Sequence, residues 1–137
     1  MELYAKDLRI GNWVYNPIQK INILVDFNVL NLIRLDNLRY AREIKKGEEC
    51  FQPIPLTEEI VKKTFLKDDV LDDYILNVGA SKMLTYSVKS GVSSLYFIKR
   101  EGRVELNFLE VFIFEGLHDL QNWYYYNNDK TELKIEL

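Results

Sequence analysis

The sequence predicts an α+β fold: mainly antiparallel strands, from an N-terminal β part (1–50) and a meander in the C-terminal half, packed with two helices at about 57–67 and 116–127. Three observations carry this. Leu84, Tyr86 and Val88 alternate with Thr85, Ser87 and Lys89, and Val104, Leu106 and Phe108 alternate with Glu105 and Asn107, which is strand periodicity. Ser90-Gly91 and Glu101-Gly102 separate these runs as tight turns. From Gly116 the period becomes helical, with Leu117, Leu120, Gln121 and Tyr124 at i, i+3, i+4 and i+7.

From the start of the chain, Asn12 to Tyr15 reads as a short strand stopped by Asn16-Pro17. Ile21 to Leu35 is rich in β-branched and large apolar residues and is too long for one strand, so two strands divided near Asp26-Phe27-Asn28 are expected. Residues 36–50 read as irregular or briefly helical. Phe51 to Leu56 carries two prolines and must be extended. Thr57 then caps a helix whose first turn holds Glu58 and Glu59, where the helix dipole favours anions. Tyr74 to Val78 is a strand closed by Gly79. After Phe108 the apolar parity flips to Leu109, Val111 and Ile113, which predicts a bulge or bend near Leu109, or burial of both faces there.

The 137 residues, 47% hydrophobic and 28% charged, fit a single foldable domain over 1–137. One Cys (Cys50) and one His (His118) leave neither an internal disulfide nor a Cys/His zinc site, so no metal and no cofactor is expected. Glu48 and Glu49 beside Cys50 disfavour a thiolate nucleophile. No apolar run is long enough to span a membrane, and Met1 to Ile10 has no basic start followed by an apolar stretch, so a cytosolic location is expected. The net charge of −3 conceals blocks. Residues 34–46 and 79–105 carry +3 each, whereas 48–73 carry −5 and 110–137 carry −4, a pattern of opposed faces rather than of a charged tail.

Three motifs occur in order: Leu8-Arg9-Ile10-Gly11-Asn12-Trp13-Val14, Pro53-Ile54-Pro55-Leu56-Thr57-Glu58-Glu59, and Leu117-His118-Asp119-Leu120-Gln121-Asn122-Trp123-Tyr124 with a later Glu132-Leu133. Together they resemble a group of short uncharacterised proteins of Bacteroidales genomes, found in prophages and other mobile elements. The resemblance implies a bacterial or phage cytosolic context and brings no activity with it. The chain departs from the family's pattern at Tyr125 to Thr131, where smaller residues and a Thr-Gly usually stand.

Four groups of residues are candidates for function. Trp123, Tyr124, Tyr125 and Tyr126 cover most of a helix circumference, so some ring must face solvent, where Tyr and Trp suit a protein interface. His118 with Gln121 and Asn122 shares a helix side, either binding a small polar ligand or bonding backbone at a sheet-to-helix junction; Glu115 and Asp119 are the nearby acids. Arg34, Arg39, Arg42 and Lys45, with Lys99, Arg100 and Arg103, form a basic patch if they converge, and phosphate contacts would follow. Asp68, Asp69, Asp72 and Asp73, read as i,i+4 pairs, are either a solvated acidic loop or ligands for a hard cation in a metal-assisted hydrolase. The expectation is a non-enzymatic protein-binding module of a mobile element, with a protein partner or a second copy as its target. The alternative is a small nucleic-acid or nucleotide-binding, anti-defence protein using the basic patch.

Overall fold

The structure is a computed structural model that describes residues 3–40, 51–68 and 73–137. The fold is α+β, with antiparallel strands in a two-stranded and a five-stranded sheet. The described residues form two compact units: residues 1–55 with 115–122, and residues 56–114 with 123–137.

The first unit opens with a 3-10 turn, Ala5–Asp7, followed by a turn in which Asn12 N–H donates to Arg9 C=O at 3.1 Å. Gly11 stands third in that turn with φ 98°, a conformation that requires glycine in a type II turn. Strands β1 (Trp13–Asn16) and β2 (Ile21–Leu24) form a hairpin with Trp13 opposite Leu24 and Asn16 opposite Ile21. Tyr15 also exchanges backbone hydrogen bonds of 2.8 and 2.7 Å with Gln52. The extended Pro-bearing segment thus lies along β1.

The second strand expected before Leu35 is instead the helix α1, Phe27–Tyr40. Asp26 caps it, its Oδ1 accepting the Val29 N–H at 2.8 Å. Ile33 is buried, Val29 and Leu30 pack partly buried beside it, and Asn37 bonds the Leu3 carbonyl at 2.7 Å and the Ala5 N–H at 2.8 Å. Residues 29, 30, 33 and 37 share one helix side, so burial on a 3.6-residue period overrides the β propensity of the segment. Leu3, Leu8, Val14, Val25, Ile33 and Phe51 make the core of this unit.

The second unit holds the sheet in strictly sequential order: β3 (Leu66–Asp68), β4 (Asp73–Val78), β5 (Lys82–Tyr86), β6 (Ser93–Lys99) and β7 (Glu105–Phe112). The helix expected over 57–67 is only the single turn α2, Glu58–Val61, because β3 begins at Leu66 and pairs with β4. Thr57 caps it as its sequence suggests, its side chain accepting the Ile60 N–H. The turns at Gly91 (φ 69°) and Gly102 (φ 79°) fall where Ser90-Gly91 and Glu101-Gly102 predict them. Helix α3, Leu117–Asn127, starts and ends within a residue of its expected bounds, and it makes a third helix among the described residues. Its residues to Asn122 belong to the first unit and those from Trp123 to the second.

Candidate functional site

The registers of the five-stranded sheet decide which side chains share a face. Tyr74, Leu76 and Val78 on β4 align with Tyr86, Leu84 and Lys82 on β5, and Leu84 and Tyr86 with Leu95 and Ser93 on β6. Apart from Lys82 all of these are buried, and they form the inner face. Over it lies the segment that begins the unit: the Tyr86 hydroxyl donates to the Leu56 carbonyl at 3.2 Å and the Tyr74 hydroxyl to Glu58 Oε1 at 2.8 Å. Burial pushes the Tyr86 phenol up, and the Glu58 carboxylate adds to that shift.

The other side, the outer face, carries Ile98, Tyr96 and Ser94 of β6 opposite Leu106, Phe108 and Val111 of β7. Leu95 pairs with Glu110 and Tyr96 with Phe108, which leaves Leu109 as an inserted residue, the bulge that the parity flip predicts. Its consequence is directional. Leu106 and Phe108 before the bulge and Val111 after it point to one face, while Glu105, Asn107 and Glu110 point to the other. Every β7 residue from Glu105 to Val111 is exposed, with Phe108 at 58% and Val111 at 50%, and Tyr96 meets the Phe108 ring edge-on at 5.9 Å. Val104 and Ile113, at the two ends of the strand, are more exposed still. The result is an apolar strip without a charge that is open to solvent along β7, while on the same face Ile98 of β6 and Met83 and Thr85 of β5 are buried.

Of the aromatic run on α3, Trp123 is engaged within its own unit, packing edge-on against Phe112 at 5.3 Å and Phe114 at 6.0 Å. Tyr124 and Tyr125 are half-buried, and Tyr126 is the open ring, 66% exposed.

His118, Gln121 and Asn122 sit in the first unit, where the last two bond backbone rather than leave their polar groups open. The Gln121 Oε1 accepts the Trp13 N–H at 2.8 Å and its Nε2 donates to the Gly11 carbonyl at 3.2 Å. Asn122 Nδ2 donates to the Asp7 carbonyl at 2.8 Å, and its Oδ1 accepts from Arg9 Nε at 3.0 Å and Asn12 Nδ2 at 2.9 Å. The Leu117 N–H donates to the Ile54 carbonyl at 2.8 Å, and a Cβ on Gly116 would stand 3.0 Å from that same oxygen. Residues of all three sequence motifs therefore meet in one hydrogen-bonded knot. His118 is buried, with Nδ1 lacking a hydrogen-bond partner among the described residues. Burial holds its pKa below the ordinary histidine value, against the opposing pull of Asp119, Glu115 and Asp7.

The basic residues divide between the units. Arg34 is on α1, its guanidinium bonded to Asn31 Oδ1 at 3.0 Å, beside a dish of about 610 Å³ lined by Ala5, Lys6, Phe27, Leu30, Asn31 and Arg34. Arg39 lies on the same helix, and Arg42 and Lys45 fall outside the described residues. Lys99, Arg100 and Arg103 are exposed around the β6–β7 turn, Arg103 standing 3.5 Å from Glu105. Of the acidic run, Asp68 on β3 stands opposite Asp73 on antiparallel β4, and Asp69 and Asp72 lie outside the described residues. Two carboxylates on facing strands do not have the i,i+4 arrangement that motivated a cation site.

The exposed β7 residues are the group that sequence reasoning left unassigned, since the parity flip at Leu109 predicts a bulge, a bend or burial of both faces and says nothing of an open strip. Comparison with protein-family models, with curated proteins and with solved structures finds no match to this chain.

Proposed function

We propose that this chain is a non-enzymatic protein-interaction module that works through the exposed outer side of β7, the last strand of its sheet. One observation carries the reading: the bulge at Leu109 gathers Leu106, Phe108 and Val111 in a single exposed, charge-free strip along β7. A monomer rarely leaves a contiguous apolar strip open without a partner for it. Exposed aromatic and aliphatic side chains, with the charges of β7 turned to the opposite face, match the apolar centre of protein interfaces. Tyr126 and the Lys99, Arg100 and Arg103 cluster are further exposed groups of the same unit. The setting that fits the sequence motifs is the cytosol of a bacterium carrying a mobile element.

The test is capture at the strip. A photo-crosslinking amino acid placed at Phe108 in the full chain, produced in bacterial cells, is expected to join a polypeptide in covalent complex. The same group at Lys89, exposed beyond β5, is expected to give far less. Absence of any polypeptide adduct at Phe108 would overturn the reading.

A further inference from the structure

We infer that the occupant of the open β7 strip is a second copy of this chain, packed strip to strip about a two-fold axis; this rests on the interaction reading above. The first argument is self-compatibility. A two-fold contact sets a patch against itself, so any charge on it would meet its own sign. The β7 strip of Leu106, Phe108 and Val111 carries none, because β7 turns Glu105 and Glu110 to the other parity.

The second argument is area. Val104, Leu106, Phe108, Leu109, Val111 and Ile113 are between 47% and 77% exposed. At roughly 60–100 Å² of open surface for each, they offer about 400–600 Å² of apolar area per copy. Interfaces are about 60% apolar, so this corresponds to roughly 700–1,000 Å² in total on each side, which matches the ~800 Å² per partner of a standard stable complex.

The third argument selects face packing over edge pairing. Adding a strand beside β7 would satisfy its free backbone groups and leave the apolar strip in water. The inserted Leu109 also breaks the regular ladder that a new strand would need. Two β7 strips packed face to face at the ~10 Å spacing of stacked strands cover the strip on both copies.

Sedimentation and light scattering of the full chain from about 1 to 200 μM are expected to show a species of twice the 16.3 kDa chain mass. Phe108→Glu and Val111→Glu place a charge on the strip and are expected to weaken association about 100-fold or more, with secondary structure unchanged because both sites are exposed. Asn107→Glu, on the same strand but the opposite face, is expected to leave the dimer intact. A strictly monomeric chain over that range overturns the inference, and so does equal dissociation by Asn107→Glu and Phe108→Glu, which would indicate edge pairing. If the chain is monomeric while the crosslinker at Phe108 captures a different polypeptide, the second copy falls and the interaction reading stands. If neither is seen, both fall.

Discussion

The two units are held by different physics. In the first, the amides of Asn12, Gln121 and Asn122 tie the Asp7 to Trp13 backbone to the start of α3, and the apolar cluster around Val14, Val25 and Ile33 sits behind that network. The second has a sheet whose inner face is an almost unbroken apolar surface from Tyr74 to Leu95, onto which the Tyr74 and Tyr86 hydroxyls tie the segment that begins the unit. A polar knot is intolerant of losing one partner, since each buried donor or acceptor left behind costs its full desolvation. An apolar layer responds in proportion to the volume removed. One tryptophan stands in each unit, Trp13 in the first and Trp123 in the second. Single-tryptophan variants made with Trp123→Phe or Trp13→Phe therefore report each unit separately.

The largest expected effect is in the apolar layer. Leu84 is fully buried at the middle of the sheet. Leu84→Ala should cost about 3 kcal/mol in denaturant unfolding followed at Trp123, by lost transfer energy and the cavity left behind. A cost under 1 kcal/mol would mean that the inner face collapses freely and is no jigsaw core.

Next comes the knot. Gln121→Leu keeps a side chain of similar bulk in place but leaves the Trp13 N–H and the Gly11 carbonyl without their side-chain partner. A loss of about 2 kcal/mol is expected at the Trp13 reporter, with a smaller change at Trp123. Equal losses at both reporters would show that the two units unfold as one cooperative body and would erase the distinction drawn between them.

Acid should separate the units as well. His118 belongs to the first unit, and its folded-state pKa lies below the unfolded value of 6.5, chiefly through burial. The unfolded chain then binds the proton more readily than the folded one, so stability contributed by the neutral imidazole is present above pH 6.5 and is lost as pH falls through the lower folded pKa. The Trp13 transition should move to lower denaturant below about pH 6.5. Replacing the imidazole in His118→Asn should flatten that dependence, whereas a slope unchanged in the variant would assign it to the carboxylates instead.

Much of this organisation is legible in the sequence, and the exceptions have physical causes. The β4–β7 meander, its two glycine turns and α3 follow from periods of 2 and 3.6 that burial on one side enforces. The bulge is legible because the apolar parity of β7 changes at one residue. Helix α1 is misread as a strand because Ile21 to Leu35 contains no Gly or Pro after Asp26, and the β-branched residues mask a helical spacing that only the Asp26 cap reveals. Strand β3 is hidden because three residues are too few to show a period. The knot was half visible: the spacing puts His118, Gln121 and Asn122 on one side of α3, but only the fold shows that the Arg9 to Trp13 turn arrives there. Periodicity reports which residues share a face and is silent on whether anything covers it, so the open outer strip emerges only from the structure.

The smallest expected effect is the most discriminating. Phe108 and Leu84 are both large apolar residues of one sheet, on opposite faces, one 58% exposed and the other fully buried. If the outer strip meets only solvent within its own chain, Phe108→Ala measured at the Trp123 reporter in dilute solution should cost no more than about 0.5 kcal/mol, as at an ordinary surface position. At high protein concentration the cost should grow, because a second copy that binds only the folded chain stabilises it by mass action and the variant forgoes that contribution. A cost near that of Leu84→Ala and independent of concentration would mean that Phe108 is a core residue covered from within the chain. The strip would then be the second face of an ordinary core, and the contrast between the two sides of the sheet would disappear.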